Sequence, residues 1–244
     1  MNIRRHIPNA ITCCNLLSGC IAVVWALQGD FVHAFLFIII GAVFDFFDGL
    51  TARALHVSSP IGKELDSLAD DITFGLAPSA MVYALLDQCI AAHAGWFTSC
   101  LGIAQVLPYV AYLMAAFSAL RLAKFNLDER QTTSFIGLPT PANALFWGGL
   151  CVGSGHALTA QAWGLWTVLA LVVLFSWLLI AEIPMFSLKF KRGATNTIAI
   201  VFLCISAALL IALLVTQGLV GALSAFSAVI GLYVILSLLT PQKP

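Results

Sequence analysis

Charge is what this sequence has least of. Only 9% of its 244 residues are Asp, Glu, Lys or Arg, 61% are hydrophobic, and the mean hydropathy is +1.01. Soluble domains carry about 25% charged residues. A chain this poor in charge cannot cover a water-facing surface, so a soluble globular domain is excluded. Net charge is zero, which points to no polyanion, and no nucleic-acid partner is expected. The seven cysteines (Cys13, Cys14, Cys20, Cys89, Cys100, Cys151 and Cys204) form no C-x-x-C pair, which removes zinc-ribbon and dithiol chemistry and leaves them as small hydrophobes. The five histidines form no H-x-x-x-H pair. The first apolar run ends in Gly29-Asp30 rather than a small-residue cleavage site, so it reads as a first span and not as a cleaved leader. No internal repeat is evident, and no gap between apolar runs can hold a soluble domain.

What the sequence does have is long apolar runs. A bilayer crossing needs about 20 mostly apolar residues. Eight such segments are expected, at about 11–28, 33–55, 62–87, 97–122, 141–159, 164–183, 194–216 and 219–239. The fold class expected is all-α: a polytopic membrane helix bundle forming a single domain over 1–244. Eight crossings put all eleven basic residues (Arg4, Arg5, Arg53, Lys63, Arg121, Lys124, Arg130, Lys189, Lys191, Arg192 and Lys243) on one side or at helix ends facing it. The positive-inside rule makes that side cytoplasmic, with both termini there, in the cytoplasmic (inner) membrane. Lys189, Lys191 and Arg192 either attract anionic headgroups or only set topology. Pro78 and Pro108 are expected to bend their helices.

Two of the segments carry acid, and that is the anomaly. Asp45 and Asp48 are spaced i, i+3 at the end of the second span; Asp66 and Asp70 are spaced i, i+4 at the start of the third. The connection is short, so the two helices are antiparallel neighbours. Counted from Ser58, Asp48 pairs with Asp66 and Asp45 with Asp70 at roughly equal depths. Four carboxylates so close need a compensating charge, and each costs several kcal/mol in lipid. Divalent cations, Mg²⁺, Mn²⁺ or Ca²⁺, suit hard oxygen ligands, and four carboxylates can hold two. Gly49 and Ala52 leave room for a ligand near the backbone, and Arg53 offers a fork for phosphate. A structural polar network, an ion path through a transporter and an aspartate-rich intramembrane prenyltransferase use the same residue types. Against the last two, nearly all the intramembrane acid here lies in one hairpin, Glu182 being the exception.

The spacing is D-x-x-D-G-x-x-A-R-x8-G-x-x-x-D-x-x-x-D, filled by Asp45, Asp48, Gly49, Ala52, Arg53, Gly62, Asp66 and Asp70. It resembles the defining motif of the CDP-alcohol phosphotransferases. The resemblance implies a six-helix core, often dimeric, with a cytoplasm-facing site and two divalent cations per subunit. It implies that Asp45, Asp48 and Asp66 bind metal and the CDP pyrophosphate, and that Asp70 borders the metals and serves as general base. Asp48, Gly49, Ala52, Arg53, Gly62 and Asp66 then form the CDP-diacylglycerol site. The core would run to about residue 183, with two additional helices at about 194–239. Asp71, turned about 100° from Asp70 on a regular helix, is expected to support or pack.

The flanks resemble the integral-membrane phosphatidylserine synthases within that family. The segments are Ile7-Pro8-Asn9 through Gly19, Glu64 through Pro78, Arg121-Leu-Ala-Lys124-Phe-Asn126, and Phe135 through Ala142. This implies CDP-diacylglycerol and L-serine as substrates, membrane lipid as surroundings, and phosphatidylserine and CMP as products. Arg121, Lys124 and Asn126 are the candidates for the serine carboxylate, with a purely topological role as the alternative. Lys124 stands where the subfamily usually repeats arginine, so charge survives without the bidentate fork. Glycerol 3-phosphate and inositol stay open as acceptors. Asn15 is expected either to contact the nucleotide diphosphate or to pair with a neighbouring helix.

Overall fold

A computed structural model describes residues 6–57, 59–97, 101–127, 137–183, 185 and 197–239. The regular structure among them is all helix. α1 is His6–Leu27, α2 Phe31–Ala54 and α3 Pro60–Asp70. A π-helical turn, Asp71–Leu76, joins α3 to α4, Ala77–Ala92. α5 is Leu101–Val106; a 3₁₀ stretch, Leu107–Tyr112, leads into α6, Leu113–Leu127. α7 is Thr140–Ala160, α8 Gly164–Ile180 and α9 Thr197–Leu239.

Five stretches among the described residues are long and apolar enough to cross a membrane: His6–Leu27, Phe31–Ala54, Pro60–Ala92, Gly102–Leu127 and Ala199–Leu239. α9 is two helices, because Gly218 has φ +66° and ψ −150° and breaks it. Over their described residues, the eight expected segments fall on α1, α2, α3 to α4, α5 to α6, α7, α8 and the two halves of α9. The chain is a polytopic helical membrane protein. Large apolar side chains cover its outside, among them Leu17, Phe46, Trp166 and Val215, as lipid surroundings require. Arg4, Arg5, Ser58, Arg130, Lys189, Lys191, Arg192 and Lys243 lie outside the described residues.

The two prolines lie where the chain departs from regular α-helix. Pro78 has no N–H for the carbonyl four residues back, and its ring would crowd that carbonyl. The preceding chain widens into the π turn, and Ser79 Oγ donates to the Gly75 carbonyl at 2.7 Å. Pro108 sits in the 3₁₀ stretch between α5 and α6.

Small residues hold α1 and α2 around the π turn. A Cβ on Gly19 or on Gly41 would strike Thr73. Thr73 Oγ1 in turn donates to the Asn15 carbonyl at 3.0 Å. Close backbone approach of this kind is the usual way helices associate in lipid, where no hydrophobic force drives them together. At the opposite end Asp30 caps α2: its Oδ1 accepts from the His33 N–H at 3.0 Å and its Oδ2 lies 2.8 Å from His33 Nδ1. The backbone hydrogen bond from His33 holds the Asp30 carboxyl below its ordinary value.

Candidate active site

The acids of the α2–α3 hairpin come together. Asp45, Asp48 and Asp66 each bring a carboxylate oxygen into a group in which all lie within 4.8 Å of one another. Asp70 is one turn beyond Asp66 and borders Asp45. Its Oδ1 accepts from Asn15 Nδ2 at 3.2 Å. Asp48 is buried, and its Oδ2 has no hydrogen-bond partner. No lysine or arginine among the described residues forms an ion pair with any of the four; the one ion pair there is His33–Asp30.

This arrangement fits a divalent cation. The donors are all hard carboxylate oxygens, which is the set Mg²⁺, Mn²⁺ and Ca²⁺ prefer. A buried carboxylate oxygen with no partner is costly unless something occupies it, and Asp48 Oδ2 is such an atom. Asp45, Asp48 and Asp66 are the residues that would hold the ion.

A cavity of about 260 Å³ opens beside these acids. Asp48, Gly49, Ala52, Gly62 and Asp66 line it together with Pro8, Asn9, Thr12, Val57, Ser59 and Lys63. The local sequence explains its shape. Ser59 caps α3, accepting from the Gly62 N–H at 3.0 Å, and Pro60 takes the first helical position, where its missing N–H costs nothing. A Cβ at Gly62 would sit 3.0 Å from Ser59 Oγ and 3.1 Å from Asn9 Oδ1, so a side chain there would press on both of these lining residues. Arg53 is exposed in the last turn of α2. Its Nη1 lies 3.4 Å from where a Gly49 Cβ would be, so the guanidinium folds back along the cavity rim.

The remaining expected residues do not converge as a group. Asn15 is fully buried and points to Asp70, away from the cavity lining. Asn126 Nδ2 donates to Ser67 Oγ at 2.8 Å, and the Asn126 carbonyl accepts from Lys63 Nζ at 2.9 Å, so Asn126 ties α6 to α3. Lys124 is exposed. Arg121 differs: it is buried, with Nε unpartnered, and lies within electrostatic reach of Asp70.

Four further residues neighbour the site, and of these the sequence had singled out Asp71 alone, as a supporting or packing residue. Thr12 approaches Asp48. Ser118 and Asp71 meet across Gly75. Tyr233, from the second half of α9, lies within electrostatic reach of Arg121. Single polar residues in apolar helices carry little sequence signal; the i, i+3 spacing of Ser118 and Arg121 was the one cue available.

The sequence model of the CDP-alcohol phosphatidyltransferases matches residues 5–238. The chain belongs to the CDP-alcohol phosphatidyltransferase family. It is therefore an enzyme of a divalent-metal-dependent family. It is 37% identical over 148 residues to a Bacillus subtilis protein, covering 61% of this chain and 73% of that one. It is 34% identical over 140 residues to a Helicobacter pylori protein, covering 57% of this chain and 54% of that one. A Mycobacterium leprae protein is 32% identical over 186 residues, covering 73% of this chain and 57% of that one. All three are CDP-diacylglycerol–serine O-phosphatidyltransferases. This chain thus spans little more than half the length of the Helicobacter and Mycobacterium relatives.

Proposed function

We propose that this chain transfers the phosphatidyl group of CDP-diacylglycerol to the hydroxyl of L-serine, giving phosphatidylserine and CMP. The observation that carries the proposal is the convergence of three carboxylates on one point, beside a cavity, with Asp70 and Arg121 next to them. The names of the relatives support serine as acceptor.

In this reading the pyrophosphate of CDP-diacylglycerol enters the cavity between Gly49, Ala52 and Gly62, where missing side chains admit it close to the backbone. Arg53 at the rim faces its charge. Divalent cations held by Asp45, Asp48 and Asp66, with Asp70 at their border, would neutralise the phosphates and the charge that develops on the leaving CMP. The serine hydroxyl attacks the phosphorus that carries diacylglycerol. A P–O bond to serine forms, and the bond to the CMP oxygen breaks. Asp70 takes the hydroxyl proton; Asn15 holds its carboxylate in place through the 3.2 Å hydrogen bond. Arg121, buried beside Asp70, receives the serine carboxylate.

The site opens toward the end of the bundle where Arg53, Lys63 and Lys124 lie, which supports a cytoplasm-facing site and cytoplasmic termini. Residues to about 183 form the catalytic core in this proposal, and the two halves of α9 are additions to it. Assembly as a homodimer belongs to the same proposal and rests on the family.

The test is product identification. Purified protein is given CDP-diacylglycerol, Mg²⁺ or Mn²⁺, and serine, inositol, glycerol 3-phosphate or choline in turn. CMP release with serine alone, with phosphatidylserine as the lipid product, is expected. A different lipid product would sink the serine assignment and leave the family chemistry standing.

A further inference from the structure

The end of α6 is fastened to α3 by a ring of hydrogen bonds. Lys63 Nζ donates to the Asn126 carbonyl at 2.9 Å, Asn126 Nδ2 donates to Ser67 Oγ at 2.8 Å, and Ser67 Oγ donates to the Lys63 carbonyl at 3.3 Å. Each bond suits its ends. Asn126 stands in the last turn of α6, where a carbonyl has no partner within the helix and the helix dipole is negative. A lysine ammonium answers both needs. The Ser67 hydroxyl donates once and accepts once, so its donor is used. Lys63 also lines the cavity with Asp48 and Asp66, yet among the described residues it forms no ion pair with either. Its charge is committed to α6.

The ring joins two helices whose spacing the reaction depends on. α3 carries Asp66 and Asp70; α6 carries Arg121, little more than one turn before Asn126. Arg121 is buried, its Nε has no hydrogen-bond partner, and it forms no ion pair among the described residues. The lie of α6 therefore sets where its charge stands beside Asp70. Ser67 is turned about 100° from Asp66 on α3, and its hydroxyl serves α6 instead of the metal site. We propose that Lys63 and Ser67 are positioning residues for the acceptor: acting through Asn126, they hold α6 on α3 at the spacing in which Arg121 receives the carboxylate of the alcohol that Asp70 deprotonates. The idea rests on the serine reading above. It adds that serine affinity is decided partly by side chains that do not touch serine.

The experiment uses the full chain with CDP-diacylglycerol, Mg²⁺ or Mn²⁺, and serine. Ser67→Ala is expected to raise the KM for serine about two- to tenfold, the worth of one net hydrogen bond. The KM for CDP-diacylglycerol should change by less than about twofold, which also reports that the variant is folded. Asn126→Ala removes the other end of the same bond, so it should give the same rise, and the double variant no more than either single one. Ser67→Thr keeps the hydroxyl and should stay within about twofold of the wild type. In an Arg121→Ala background, Ser67→Ala should leave the already raised serine KM where it is, because it acts through the guanidinium. Lys63→Met should raise the serine KM by a similar factor, and Lys63→Arg, which restores a donor for the Asn126 carbonyl, should reverse most of it. Equal rises for both substrates in Ser67→Ala, or a cost that adds in full to that of Arg121→Ala, would overturn the proposal. So would a much larger cost for Asn126→Ala than for Ser67→Ala, since the amide would then reach the substrate itself. Each of these outcomes leaves serine as the acceptor. If the wild type makes no phosphatidylserine, the serine reading falls, and this one with it.

Discussion

The stretch from α1 to the π turn and the three helices α7, α8 and α9 differ in the charge they hold. In α1, α2, α3 and the π turn, polar groups are held in a lipid setting against their own desolvation cost. Asp45, Asp48, Asp66, Asp70 and Asn15 all sit within spanning helices. α7, α8 and α9 hold no carboxylate; what they share with α1 and α2 is close contact between small residues. Gly149 and Gly153 on α7 face Leu223, Ser224 and Ser227 on the second half of α9; a Cβ at Gly149 would lie 2.6 Å from the Ser227 amide nitrogen, and one at Gly153 would collide with Ser224. The comparison teaches that chemistry constrains the first region residue by residue, whereas the second is constrained by volume.

The sharpest way to break that comparison is to neutralise the acids. Asp45→Asn, Asp48→Asn and Asp66→Asn should each lower turnover by about 10²–10³-fold or more, as expected when charge stabilisation at a phosphoryl centre is lost. Each should also abolish the rise in thermal midpoint that Mg²⁺ or Mn²⁺ gives the wild type, because an ion that binds only the native state stabilises it. Asp70→Asn should cost about 10²–10⁴-fold in kcat with little change in the KM for CDP-diacylglycerol. Full activity after exhaustive chelation would contradict the metal assignment outright.

A smaller effect is expected in the second region. Gly149→Leu or Gly153→Leu should destabilise the protein by about 1–3 kcal/mol, the usual cost of overpacking. The readout is a lower thermal midpoint in detergent with the KM for both substrates unchanged. Loss of activity in a variant that keeps its wild-type midpoint would show that α7 and α9 do more than pack.

The same contrast explains what the sequence could disclose. Asp45, Asp48, Asp66 and Asp70 were legible because carboxylates in apolar helices are rare and their i, i+3 and i, i+4 spacing fixes a face. The spans were legible from hydropathy, including the division of α9, since 194–216 and 219–239 flank Gly218. The π turn was not. Regular helical geometry turns Asp71 away from Asp70 as a packing residue, and only the structure places it opposite Ser118. Asn126, named with Arg121 and Lys124 as a candidate for the serine carboxylate, donates its amide to Ser67, a partner the sequence did not suggest. Tyr233 comes within electrostatic reach of Arg121 from more than a hundred residues away, and hydropathy carries no trace of it.

Tyr233 offers the finest test, because it brings a polar group of the packing region within electrostatic reach of Arg121. It is 8% exposed, its ring lies 6.1 Å from that of Phe202 on the first half of α9, and its phenol is within electrostatic reach of Arg121. Phenylalanine keeps the ring and its packing but removes the dipole, so Tyr233→Phe separates the two roles. If the phenol helps orient the guanidinium, the KM for serine should rise by about two- to tenfold, the worth of one net hydrogen bond or dipole contact. The KM for CDP-diacylglycerol and the thermal midpoint should stay unchanged. Tyr233→Ala should lower the midpoint as well, through the lost ring. An unaltered serine KM in Tyr233→Phe would return the second half of α9 to pure scaffolding and make the division between the two regions complete.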